Sequence, residues 1–238
     1  VLSFTSPGIW FGDINQTKAL ARQCNEFLSR LAADHPGRFG GFAFLPLPDI
    51  DAALSETAYA LDELKLDGIT LLTSVDDKYI GHPYFEPLYA ELNRRRAVVF
   101  IHPCYPPGTE ADGWDIPRML IDYPFETTRV AINLIFQGVM ARYPDIRFIL
   151  SHSGGTLPFL AHRVSVFDKS TTFQDNYPDG ALAYIERFWF DGTDYPYISP
   201  DVVTGETRGF DAWDGFTDAQ RAAVNRGNAE TMFPRFAG

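Results

Sequence analysis

Short runs of consecutive apolar residues alternate along this chain with longer segments whose apolar residues fall three and four apart. The runs read as strands buried on both faces, and the longer segments as amphipathic helices. The strands predicted are residues 1–4, 41–45, 68–73, 97–101, 148–150 and 187–191, with 192–197 as the tail of a seventh. The helices predicted are 17–34, 50–64, 85–96, 125–143, 157–167 and 217–232. In the first helix Ala19, Leu20, Cys24, Phe27, Leu28 and Leu31 carry the periodicity. Asp49 or Asp51 caps the second, three arginines end the third, and Thr217 caps the last.

The stretch 147–155, RFILSHSGG, organises the rest. A helix stopped by Pro144 feeds a short buried strand, which ends abruptly in Ser-His-Ser-Gly-Gly. Strands alternating with helices indicate repeated βαβ units and a parallel sheet, so we expect an α/β protein with one domain over 1–238. Ligands gather at the carboxyl ends of such strands. Residues 104 to about 122 form a long Pro- and Gly-rich excursion carrying Trp114, of the kind that builds binding sites.

Two places break the pattern. The chain opens inside an apolar run without a methionine, so residues are expected upstream. Asp191 and Gly192 join one strand to what reads as another strand's carboxyl end. Parallel neighbours need a crossover of a dozen or more residues, so a segment is expected to be missing here. A Cα–Cα distance near the ~3.8 Å of any trans peptide would sink that idea.

Composition narrows the function. With 45% hydrophobic and 21% charged residues the chain has ample core material. A formal charge of −11 disfavours nucleic acid and anionic membranes as partners. Two cysteines, Cys24 and Cys104, suit a reducing, cytoplasmic setting. No apolar run approaches a membrane span. No P-loop, dinucleotide fingerprint or serine-hydrolase elbow is present.

Three strand ends offer side chains of metal-ligand type: His102 after VVFI, His152 after FILS, and Asp194 in GTDYP. Histidine and carboxylate suit Zn2+ or Mn2+, and on separate strands of one barrel they would converge on its mouth. Taken singly, His102 also reads as a satisfied strand-end histidine and Asp194 as a turn brace. His152 at a glycine-opened strand end is placed for proton transfer. Arg163, eleven residues on, could clamp a carboxylate, or be an ordinary surface arginine. His35 and His82 read as structural, and His162 as a helix-surface residue.

The series GFAFLPL, GITLLT, VVFIHP, ILSHSGGTLPFLAHR, FWFD, GTDYP and GNAETMFP resembles the amidohydrolase-related (amidohydrolase 2) family. That family includes metal-dependent decarboxylases of aminocarboxymuconate semialdehyde, γ-resorcylate and 5-carboxyvanillate. The resemblance implies a TIM-like (β/α)8 barrel holding one divalent metal ion, zinc first and manganese second. It implies His102 and Asp194 as metal ligands, His152 as the acid/base residue, and Arg163 as the carboxylate binder, in some members across a dimer interface. Trp114 and Tyr197 would line the site. The implied activity is decarboxylation of a small aromatic or unsaturated carboxylic acid by a homodimer or higher homo-oligomer. A lactone or amide hydrolase, or a non-catalytic barrel, are the alternatives. The family's first-strand pair of metal ligands has no match here.

Overall fold

The computed structural model describes residues 1–108, 117–170, 172–192 and 199–237. Helix α1, Ile14–Asp34, starts three residues earlier than the periodicity predicts, because the Asp13 carboxylate accepts the Asn15 and Gln16 N–H groups. Strand β1 is only Phe42–Ala43. The expected strand over 1–4 is reduced to a parallel bridge between Leu2 and Gly41. Helix α2, Ile50–Ala58, is capped by Asp49 and runs on through one wide turn, Tyr59–Glu63.

Strand β2, Gly68–Leu72, leads into a hairpin the pattern did not announce: β3, Ser74–Val75, against β4, Lys78–Tyr79. Its turn residues Asp76 and Asp77 both have positive φ, at 49° and 60°, the conformation that two-residue hairpin turns demand. Helix α3, Glu86–Arg94, and strand β5, Val98–His102, follow. The single helix predicted over 125–143 is two, α4, Asp122–Phe136, and α5, Val139–Arg142. Gly138, at φ 71°, breaks it: that backbone conformation admits glycine and interrupts the helical ladder.

Strand β6, Arg147–Leu150, helix α6, Leu157–Val164, helix α7, Ala181–Ile185, and strand β7, Trp189–Phe190, complete the regular part. Beyond Gly192 the expected strand tail lies outside the described residues. Helix α8, Pro200–Ala212, unforeseen by the periodicity, buries none of its residues. Helix α9, Asp218–Ala222, opens on a capping box between Thr217 and Gln220, and α10, Asn228–Met232, follows after a wide turn.

The sheet runs β1-β2-β5-β6-β7, parallel throughout. Alternate side chains face opposite ways, and both faces are covered. Ile69, Leu71, Val99, Ile101, Phe148 and Leu150 join the large core under the helices. Phe42, Val98, Phe100 and Ile149 form a second cluster on the other face, with Trp189, Met232 and Phe233 packed against it. An inner apolar face and an outer helical layer are what the wall of an α/β barrel presents. The register pairs Leu72 with His102, Ile101 with Leu150, and Leu150 with Phe190. One step further, Leu72, His102, Ser151 and Asp191 stand in one row at the carboxyl rim.

Candidate active site at the strand ends

His102 is the last residue of β5 and is buried. Its Nδ1 lies 2.9 Å from the Pro103 carbonyl oxygen. A carbonyl only accepts, so Nδ1 carries a proton in this bond. The loop beyond is stitched to the end of β2: the Cys104 N–H donates to Thr73 Oγ1 at 3.2 Å, and the Cys104 sulfur lies 3.2 Å from the hydroxyls of Thr73 and Ser74.

His152 stands just past β6, where the backbone bends hard. His152 and Ser153 both have φ of 53°, and Gly154 and Gly155 follow at 78° and 62°. Two non-glycine residues in that region cost roughly 1–3 kcal/mol each, a strain that clusters at functional sites. The Ser153 N–H donates to the Asp191 carbonyl at 2.7 Å, and the Asp191 N–H to the Leu150 carbonyl at 2.8 Å, so β7 secures the bend. A Cβ on Gly155 would stand 2.0 Å from the Pro124 carbonyl oxygen. Next to it the Thr156 N–H donates to Thr128 Oγ1, which donates to the Pro124 carbonyl, each at 2.8 Å. The bend is thus clasped to the start of α4.

The two histidine rings come together, with centroids 5.4 Å apart. Tyr123 on the first turn of α4 joins them, and Tyr105 packs on Tyr123 with centroids 5.4 Å apart. Burial pushes the Tyr123 phenol up. Arg118 lies 4.5 Å over the Tyr105 ring and donates to Asp122 at 2.8 Å. On the far side of α4, the fully buried Glu126 accepts from the Tyr79 hydroxyl at 2.9 Å and from Arg129 at 2.6 Å, tying the β3–β4 hairpin to the helix. Burial, ahead of the opposing bond from Tyr79, pushes the Glu126 carboxyl up.

The structure therefore brings His102 and His152 together. Arg163 sits on α6 with its side chain exposed. Asp194, Trp114 and Tyr197 lie outside the described residues. His35 packs its ring on Phe39, and His82 Nδ1 accepts the Tyr84 N–H, both local structural jobs. Among the described residues no three His, Cys, Asp or Glu side chains gather to hold an ion, while the bond from His102 Nδ1 to a backbone carbonyl is the kind of contact that orients a metal-ligating histidine. Sequence reasoning missed Tyr123, Tyr105 and Asp191. Asp191 had a usable signal, since it ends the apolar run FWFD as the histidines end theirs.

An α/β-barrel wall with paired histidines at adjacent strand ends defines a class of enzyme scaffold. Within it, the chain belongs to the amidohydrolase family, whose model matches residues 3–235. It is 44% identical to the 6-methylsalicylic acid decarboxylase of Aspergillus aculeatus, over 99% of this chain and 81% of that protein. That match extends over 278 residues, about forty more than the 238 of the chain. The crystal structure of 5-carboxyvanillate decarboxylase from Sphingomonas paucimobilis shares the fold, at a TM-score of 0.84 and 22% identity, over 98% of this chain and 78% of that one. So does a dihydroxybenzoic acid decarboxylase from Polaromonas with bound manganese, at 0.78 and 23%, over 98% and 81%.

Proposed function

We propose that the chain is a metal-dependent decarboxylase that removes CO2 from a small aromatic carboxylic acid in the cytoplasm. The observation that carries this reading is the pairing of the His102 and His152 rings, centroids 5.4 Å apart, at the ends of adjacent parallel strands. The strained His152 backbone supports His152 as the one of the two that does chemistry. His152 delivers a proton to the ring carbon that bears the carboxylate. The bond from that carbon to the carboxyl carbon then breaks, its electron pair restores the ring, and CO2 leaves. His102 and Asp194 would hold a divalent ion, zinc or manganese, which when bound supplies positive charge beside the carboxylate and the neighbouring oxygen. The similarity to decarboxylases of 6-methylsalicylic and dihydroxybenzoic acids supports an ortho-hydroxylated benzoic acid as substrate, with Trp114 and Tyr197 lining the ring site.

Arg163 is the proposed carboxylate clamp, and it acts in a second copy of the chain. Phe159 and Val166 are 90% and 72% exposed. With His162 and Arg163 they form one stripe at helical spacing along α6 and the turn after it. Two such exposed apolar side chains on one helix face suit a cover, and a homodimer formed there would bring Arg163 to the partner's mouth. Light scattering on wild-type protein and on Phe159→Asp should show dimer and monomer; a monomeric wild type would overturn the clamp in trans.

The test of the reaction is CO2 release from 6-methylsalicylate and 2,6-dihydroxybenzoate by protein loaded with manganese or zinc. His152→Asn should lower turnover by about 10^2–10^4-fold with metal content unchanged. Uptake of water by a lactone with no loss of CO2 would replace the reading with a hydrolase. Failure to retain either metal would replace it with a non-catalytic barrel.

A further inference from the structure

Tyr123 meets both histidines with one ring. Its centroid lies 5.7 Å from that of His102 at an interplanar angle of 80°, and 6.0 Å from that of His152 at 28°. It stands nearly perpendicular to the first and nearly parallel to the second. The Tyr105 ring packs beside it, centroids 5.4 Å apart.

The ring has little room to withdraw. Thr128 clasps α4 to the bend after His152, and Glu126 ties the same helix to Tyr79 on the hairpin. Tyr123 thus belongs to a helix held from two sides, one of which is the loop that carries His152.

We propose that Tyr123 is a positioning residue whose ring fixes the plane of the His152 imidazole relative to His102. The inference rests on the decarboxylase reading for what that plane is used for. The physical need is specific. Rotation about the bond to a histidine ring is only weakly confined by its own torsional preference, so an imidazole at a mouth needs a neighbour to define its plane. Misplacement of a reacting group by an ångström can cost about 100-fold. The Ser151 hydroxyl meets one edge of the imidazole, 3.2 Å from Nδ1, and the Tyr123 ring supplies the neighbour on its face.

Two variants separate ring from hydroxyl. Tyr123→Phe should keep kcat within about threefold, because packing holds the ring. Tyr123→Leu should lower kcat by about 10- to 100-fold, with KM within about threefold and metal content unchanged. A second readout needs no substrate. The nearly parallel Tyr123 ring should move the His152 ring protons upfield in the NMR spectrum of histidine-labelled protein, which has five histidines, with His152→Asn giving the assignment. The shift should persist in Tyr123→Phe and vanish in Tyr123→Leu. A Leu variant that keeps wild-type kcat overturns the proposal, and so does a shift that survives in it. A Phe variant as slow as the Leu variant would transfer the role to the hydroxyl. Absence of CO2 release by the wild type would sink the decarboxylase reading alone, because the shift still decides whether Tyr123 orders His152.

Discussion

The two ends of the sheet are built from different materials. At the carboxyl ends stand buried or half-buried rings, His102, Tyr123 and His152, and four consecutive residues with positive φ from His152 to Gly155. At the amino ends the chemistry is ionic. Arg95 pairs with Asp62 at 2.7 Å and with Glu91 at 2.5 Å, and Arg235 pairs with Asp67 at 2.5 Å. Asp67 also accepts the Gly41 N–H at 2.8 Å. The ionic end spends its polar groups on holding strand starts and helix ends together. The ring-lined end keeps backbone strain and an aromatic cluster at the strand tips. The difference supports the proposal that chemistry belongs to one end and cohesion to the other.

The largest effect that tests this division comes from Gly155→Ala. The position has φ 62° and ψ −124°, which glycine tolerates and a residue with a Cβ does not. The new methyl would lie 2.0 Å from the Pro124 carbonyl oxygen and 2.9 Å from Thr128 Oγ1, so α4 and the bend must part. A destabilisation of about 3 kcal/mol is expected from conformation and overlap together. Decarboxylation should fall further than that loss explains, because the parting moves His152 and Tyr123 together. Denaturant melts and turnover measured well below the melting temperature check both halves. A variant that loses stability but keeps full kcat would show that the clasp holds the fold and leaves the chemistry alone.

How much of this was legible in the sequence differs along the chain. The runs GITLL, VVFIH and RFIL stand where β2, β5 and β6 are found, because strands buried on both faces read as unbroken apolar runs. The histidines closing two of them came with those runs. The family resemblance held across residues 3–235. Tyr123 was invisible because Tyr-Pro was read as loop, with the helix expected from Phe125. Helix α4 in fact begins at Asp122, since proline is tolerated in a first turn where its missing N–H would find no partner. The hairpin escaped because two aspartates at positive φ give no apolar periodicity. Helix α8 escaped for the opposite reason: it buries nothing, and periodicity reports only burial. Arg163 is exposed on α6, in line with the surface reading that the spacing offered beside the carboxylate clamp.

The smallest effect belongs to the ionic end and should leave the chemistry untouched. Glu91 accepts from Arg94 at 2.8 and 2.7 Å and from Arg95 at 2.5 Å. The Arg94 guanidinium, with Arg95 adding to it, holds the Glu91 carboxyl down at about 2 from an ordinary 4.5. A carboxyl depressed in the folded state stabilises the fold above its unfolded value, and that contribution fades as pH falls from about 4.5 through about 2. Arg94 is 65% exposed, so solvent screens the pair and its worth is near 1 kcal/mol, well under what the depression alone would suggest. Glu91→Gln should therefore melt slightly earlier than wild type at neutral pH, with unchanged turnover. The gap should close as both proteins are titrated toward about pH 2, and shrink in concentrated salt. A gap that widens with acid would mean that Glu91 stabilises the fold through its protonated form, and a loss of turnover at neutral pH would mean that the two ends of the sheet are coupled after all.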